Sequence, residues 1–440
     1  MTVHGLRSTR LTMLVAGIGG TAVLLAACST ASTGAASSSG APSAASSAPA
    51  SSSASAAPSQ GSSASASGPS SADELGVIDP STLPVTIPFD YVSNHPVVET
   101  GFGTAETFPM ILDTGAPVNV SADLVEKFAF PVVGQQTGAA AGGTVTSDTV
   151  GVDTVTMGDL RVSTVAAITP WVDEANPLSC ISENGLVGSN VMKDAVWQID
   201  YQAKTVTVTA SIDGIDHVTG AIPVPFRTPG DTPDGSPNVA FGVGNDGLIF
   251  LVDTGSDGGI IAAPKELESV GVTVPKDAPV LKTLAAGAAG SIPLDIPFVT
   301  TTIDLGGKKI DYPVGAADIV QGVGNIGNAF LSQFIVTFDY PNKTIYLDPV
   351  STDGTVAAPP VKGASIGWDG TKAIVGGLAV GGPADKAGLK LGETVTAVDG
   401  TPVTTRDEFC ASTTGPDPKT ITTTAGTFDA ALIDNFFTKQ

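Results

Sequence analysis

Histidine is nearly missing from this chain: three in 440 residues, at His4, His95 and His217. With no regular cysteine or carboxylate spacing around them, a zinc site has no material to be built from, and no metal is expected. A serine-hydrolase triad fares no better. Gly363-Ala364-Ser365-Ile366-Gly367 has the G-x-S-x-G spacing, but that chemistry needs a strand, a sharp elbow, a helix and a later histidine. Trp368-Asp369-Gly370-Thr371 follows instead, and all the histidines lie upstream. Basic residues are scarce as well, 20 Lys and Arg against 43 Asp and Glu, for a net charge of −23. A phosphate backbone needs a basic face, so no nucleic-acid partner is expected, and anionic lipid would repel such a surface. No motif calls for a cofactor. Aromatics are only 5% of the chain, while Gly and Pro number 52 and 32. That composition suits short strands and turns better than long helices.

Three cysteines are too few for a disulfide scaffold. Cys180 and Cys410 stand far apart in sequence. An exported setting permits a bridge between them, but two mostly buried thiols are the plainer expectation.

What is present begins with a leader. Arg7 and Arg10 precede an apolar run from Leu11 to Ala27. That run is too short for a comfortable membrane span and right for the apolar stretch of a signal peptide. It ends Leu25-Ala26-Ala27-Cys28, which resembles the bacterial lipobox. The resemblance implies that Cys28 is acylated, with palmitate-type chains, and becomes the first residue of a lipid-anchored protein outside the cell membrane. Residues 29 to 72 are almost entirely Ser, Ala, Gly and Pro, with no charge before Asp73. Such a segment cannot bury enough apolar surface to offset its ordering entropy, so it reads as a tether spanning roughly 35 to 40 Å.

The middle of the chain repeats itself. Asp113-Thr114-Gly115-Ala116 returns as Asp253-Thr254-Gly255-Ser256, each after a short apolar run, Phe108 to Leu112 and Leu248 to Val252. Gly185-Leu186-Val187-Gly188 is echoed by Gly324-Asn325-Ile326-Gly327, Asp200-Tyr201 by Asp339-Tyr340, and Lys204-Thr205-Val206 by Lys343-Thr344-Ile345. All hold nearly one register, which marks a duplication. Each copy reads as β structure, with strands at 97–103, 196–201 and 205–208 and their counterparts. Short helices are expected at 123–129 and 191–195.

Two carboxylates holding one water can hydrolyse a peptide bond without metal or covalent nucleophile. Like charges about 3 Å apart cannot both ionise cheaply, so the pair shares a proton. A glycine after the threonine allows the tight turn, and the threonine hydroxyl can bond backbone and fix it. Two intact D-T-G copies at matching places resemble the retropepsin-like aspartyl peptidases, in the bacterial form with both copies in one polypeptide. The likeness covers roughly residues 85 to 348 and includes the later apolar-x-Gly at Leu186-Val187-Gly188 and Asn325-Ile326-Gly327. It implies catalytic Asp113 and Asp253, supported by Thr114, Gly115, Thr254, Gly255 and Ser256, with the apolar-x-Gly packed under the active-site loop. It also implies glycine-rich flaps, for which 138–145 and 284–291 are candidates. The fold expected is mainly β: two retropepsin- or pepsin-like lobes forming a bilobal pseudo-dimer. Ser256 has a hydroxyl where Ala116 has none, so Asp253 is expected to carry more of the charge.

Leu378 to Gly400 reads LAVGGPADKAGLKLGETVTAVDG and is similar to PDZ domains of bacterial envelope proteases, a small α+β fold. Pro383 suits a first helical position, Gly388 a helix end, Asp399-Gly400 a hairpin turn, and Thr405 to Cys410 opens a helix. The segments expected are a signal peptide 1–27, a tether 28–79, lobes 80–212 and 213–350, a linker 351–361 and a PDZ-like domain 362–440. An endopeptidase acting on polypeptide is the leading reading, with a PDZ that either captures peptide or protein ligands or is a structural appendage; if it only recruits or orients substrate, it is dispensable for short peptides. A non-catalytic peptide-binding lipoprotein is the alternative.

Overall fold

The computed structural model describes residues 76–438, apart from 141–142, 173, 175, 229–234, 288–289 and 320–322. The leader, Cys28 and the tether lie outside the described residues.

One sheet joins the two halves. Thr205–Thr209 alternates threonine and valine, and only Val206 and Val208 are buried, the pattern of a strand with one face on a core. It pairs with Val85–Pro88 on one side and Val196–Asp200 on the other. Val196–Asp200 then runs antiparallel to its own counterpart, Phe334–Asp339, from Val196 opposite Asp339 to Asp200 opposite Ile335. Thr344–Pro349 and Ile222–Arg227 complete the pseudo-symmetric platform. Its turns are built alike. Asp200 accepts the Gln202 and Ala203 amides, Asp339 accepts that of Asn342, and Lys204 and Lys343 both take left-handed backbone at φ 54 and 53.

Above the platform, each lobe repeats one arrangement. Thr107–Asp113 lies between antiparallel His95–Gly101 and parallel Gly185–Gly188. Asp246–Val252 lies between Asn238–Val243 and Gly324–Ile326 in the same senses. The described residues of the candidate flaps lie in long hairpins, Val132–Ala140 with Gly143–Met157 and Val280–Gly287 with Gly290–Leu305, while 141–142 and 288–289 lie outside the described residues. Val77–Ile78 adds a strand to the first lobe ahead of its expected start at 80. The first short helix forms over Ala122–Phe128, where the Ser121 hydroxyl caps the Leu124 amide. The second does not. A 3-10 turn forms over Ser189–Val191, and one further turn, closed by the Ala195 amide on the Met192 carbonyl, leads directly into the platform strand at Val196.

The C-terminal domain has strands Ala364–Trp368, Ala373–Ala379, Val395–Val398, Thr420–Thr423 and Gly426–Asp429, with helices Pro383–Lys386 and Arg406–Thr413. Pro383 opens its helix, Gly388 is left-handed at φ 98, and Asp399 and Gly400, at φ 48 and 79, make the hairpin turn. Thr405 and Glu408 form a reciprocal cap on the second helix. Ser365 lies mid-strand, not at an elbow.

This domain is not a detachable appendage. Ala373–Ala379 pairs with the second-lobe hairpin, Leu281 opposite Ala379 and Thr283 opposite Gly377. Leu281, Ile296 and Phe298 of that hairpin share a core with Val361, Ala379, Phe436 and Phe437. The helix Arg406–Thr413 reaches the other lobe. Arg406 donates to the Glu174 carbonyl and the Ser179 hydroxyl, and the Ser93 hydroxyl donates to the Thr413 carbonyl. There Cys410 and Cys180 are joined in a disulfide, with Cα atoms 4.9 Å apart. The two free thiols expected from sequence are therefore a bridge, since the docked helix brings together cysteines 230 residues apart.

Candidate active site

Asp113 ends one central strand and Asp253 directly follows the other. Both are fully buried, and so are Thr114, Thr254 and Ser256. The turns meet face to face within one chain. A Cβ on Gly115 would lie 2.6 Å from the Asp253 carboxyl carbon, and one on Gly255 would lie 2.3 Å from that of Asp113. Neither glycine has positive φ. Their role is thus not the turn conformation expected from sequence: each leaves room for the opposite lobe's carboxyl group.

The threonines brace the pair across the lobes. The Thr114 hydroxyl donates to the Val252 carbonyl at 2.7 Å and accepts the Thr254 amide at 3.1 Å. The Thr254 hydroxyl donates to the Leu112 carbonyl at 2.8 Å and accepts the Thr114 amide at 3.0 Å. Each hydroxyl is both donor and acceptor, so no polar atom of the bracket is left unpaired by its own threonine. Within each turn, the glycine amide donates back to its aspartate, Gly115 to Asp113 Oδ1 at 2.6 Å and Gly255 to Asp253 Oδ1 at 2.9 Å.

The apolar-x-Gly strands lie against these turns. Gly188 sits opposite Asp113 in the parallel pair, and Val252 sits opposite Ile326. A Cβ on Gly188 would strike the Pro117 backbone at 2.2 Å, and one on Gly327 would meet the Ser256 hydroxyl at 2.6 Å.

Ser256 departs from its expected role. Its hydroxyl accepts the Gly258 amide at 3.4 Å and makes no bond to the carboxylate. The donor on Asp253 Oδ2 is the side-chain amide of Asn325, at 2.7 Å. Asn328 adds a second unforeseen link: its amide donates to the Thr254 carbonyl, and its carbonyl accepts the Tyr201 hydroxyl from the other lobe. Asn325 had a trace in the sequence, as the one polar residue in an otherwise apolar element; Asn328 had none.

Burial pushes the Asp253 carboxyl well above the ordinary carboxylate range, and the charge of Asp113 pushes it further. Asn325 and the Gly255 amide oppose the shift without reversing it. Burial and the neighbouring charge thus favour the protonated form of Asp253, and the bond that opposes them comes from Asn325 rather than from Ser256. Desolvation of a fully buried carboxylate outweighs two hydrogen bonds.

His95, also fully buried, stands at the same junction. Its Nδ1 lies 2.7 Å from the Ser93 carbonyl, and the Gly255 backbone faces the ring. Burial lowers its pKa to about 4, so the imidazole is neutral over most of the pH range.

Residues 98–191 match the family model for aspartyl protease, and residues 374–424 match that for the PDZ domain. None of the curated proteins matches the chain. The chain thus carries an aspartyl protease-like domain and a C-terminal PDZ domain within a mainly β fold.

Proposed function

We propose that the protein is an aspartic-type endopeptidase whose two catalytic residues are Asp113 and Asp253. The observation that carries this reading is the meeting of two buried aspartates from matching turns of a duplicated unit, each seated on the other's glycine. The resting pair shares one proton, and burial with the neighbouring charge favours Asp253 as its holder in this reading. Asp113 takes a proton from a water molecule placed between the carboxyl groups, and that water attacks the scissile carbonyl carbon. Asp253 donates its proton to the carbonyl oxygen, so no bare oxyanion forms. The proton on Asp113 then passes to the leaving amine as the carbon–nitrogen bond breaks, and one diol hydroxyl returns its proton to Asp253 as the carbonyl reforms, which restores the starting pair. Substrate is polypeptide, held extended between the lobes, where the first-lobe hairpin strand Val132–Ala140, which ends its sheet, supplies a strand edge.

The decisive experiment is a pair of substitutions. Asp113→Asn and Asp253→Asn should each abolish turnover of a peptide substrate, and mixing the two variants should not restore it. Half-activity in either variant, or rescue on mixing, would refute a site made from both halves of one chain.

The same reading places the enzyme outside the cell membrane on a lipid attached to Cys28, with the Ser/Ala-rich segment as its tether. The support is the leader that ends Leu-Ala-Ala-Cys. A Cys28→Ser protein that is still processed and still sediments with membranes would remove this part of the proposal.

A further inference from the structure

One of the buried positions at which the two halves differ lies directly on an aspartate. Leu186 and Asn325 occupy the same place in Gly185–Gly188 and Gly324–Ile326, Leu186 opposite Ile111 and Asn325 opposite Leu251. Leu186 is fully buried and packs with Val97, Ile111, Ala116 and Trp171. Asn325 is 2% exposed, in a strand covered on both edges by Leu251 and Ile261. A buried amide in such a place costs free energy unless its polar atoms are bonded. Only half of it is satisfied. Nδ2 donates to Asp253 Oδ2 at 2.7 Å, whereas Oδ1 is buried with no hydrogen-bond partner among the described residues. The sister lobe shows that leucine fits here, so the amide is present at a cost.

We propose that Asn325 is a positioning residue that supports one aspartate and not the other: its amide holds Oδ2 of Asp253, where the matching leucine of the first lobe can hold nothing. The inference rests on the peptidase reading only for the use to which this difference is put. With Oδ1 on the Gly255 amide and Oδ2 on Asn325, the Asp253 carboxyl is fixed in rotation. The amide also suits either protonation state. Its nitrogen and oxygen differ little in size, and a half-turn exchanges them. While Asp253 is ionised, Nδ2 donates to it. Once Asp253 is protonated, the orphan Oδ1 can turn to accept that proton. The bond to the charged form is the stronger, so Asn325 holds down a proton affinity that burial and Asp113 drive up. It thereby keeps the proton on Asp253 exchangeable.

The test is a titration that needs no turnover. Aspartate carboxyl carbons are labelled with 13C in the full-length Asp113→Asn protein, where Asp253 is the only member of the pair left to ionise. Adding Asn325→Leu should raise the Asp253 midpoint by about one pH unit, a tenfold gain in proton affinity. An unmoved midpoint overturns the proposal. Asn325→Ser, too short to reach Oδ2, is read in the same way if the leucine variant does not fold. With both aspartates present, Asn325→Leu should shift the basic limb of kcat/KM upward while KM changes little; a uniform fall in rate without that shift marks a purely structural role. The two readings fail separately. A shifted midpoint in a protein that cleaves nothing sinks the peptidase and keeps Asn325, whereas cleavage with an unmoved midpoint sinks Asn325 alone.

Discussion

The two lobes hold their aspartates with the same backbone and with different side chains. The threonine bracket is reciprocal, and the amides of Ser189 and Asn328 make the same bond, each 2.8 Å, to the carbonyls of Ala116 and Ser256. Around that frame the copies part. Leu186 faces Asn325, Ala116 faces Ser256, and His95 stands where the second lobe has Ser236, which lies 3.3 Å from Ser189 across the junction. The hairpins part as well. Val132–Ala140 ends its sheet, with Val133 61% exposed, whereas Val280–Gly287 is paired on both edges, one of them to the PDZ domain. A duplicated frame supplies what both carboxyl groups need, namely position. Divergent side chains supply what a shared proton needs, namely inequality.

The largest effect should come from removing the domain whose strand pairs with the second-lobe hairpin. Truncation after Pro349 strips the cover from Leu281, Ile296 and Phe298. Burying three such side chains is worth roughly 5 to 9 kcal/mol, of the order of a whole domain's stability. Hydrolysis of short peptides and of proteins should therefore fall together, with a lower Tm. A truncated protein that still cleaves short peptides normally would mean that the PDZ domain is dispensable after all, as expected if it only recruits or orients substrate.

The threonine bracket should sharpen the likeness between the lobes. Thr114→Val or Thr254→Val leaves one carbonyl and one amide of the opposite turn without their partner, at about 2 to 5 kcal/mol. Reciprocal geometry makes the two losses equal within error in chemical denaturation. A large disparity would show that one lobe carries the bracket.

The smallest effect should separate His95 from Ser236 by pH. Burial lowers the folded-state value of His95 from 6.5 to about 4, so the fold favours the neutral ring. Its stabilising share is complete above about pH 6.5, declines as pH falls, and is lost below about 4, amounting to roughly 3 kcal/mol. His95→Gln should flatten the dependence of Tm on pH across that window, and Ser236→Ala should leave it unchanged. An acid slope that persists in His95→Gln would assign it to other groups.

Much of this architecture was legible in the chain because its signals are local or repeated. The near-constant offset of the echoes exposed the duplication, and the strand expected at 205–208 forms as Thr205–Thr209. Pro383, Gly388 and Asp399-Gly400 outlined the C-terminal domain because each has a backbone conformation of its own. The expected helix at 191–195 failed where local preference met a strand that tertiary pairing starts at Val196.

The sequence by itself determined that two like turns would carry Asp113 and Asp253 and that strands would dominate around them. Only the tertiary structure decided the atoms at the site: that Gly115 and Gly255 make way for each other's aspartate, that Asn325 and not Ser256 reaches Asp253, that Cys180 meets Cys410, and that a PDZ strand extends the second hairpin. The physical reason is one of range. Periodicity and turn chemistry act over a few residues, whereas these contacts join groups from 70 to more than 200 positions apart, and their direction follows from how the lobes pack.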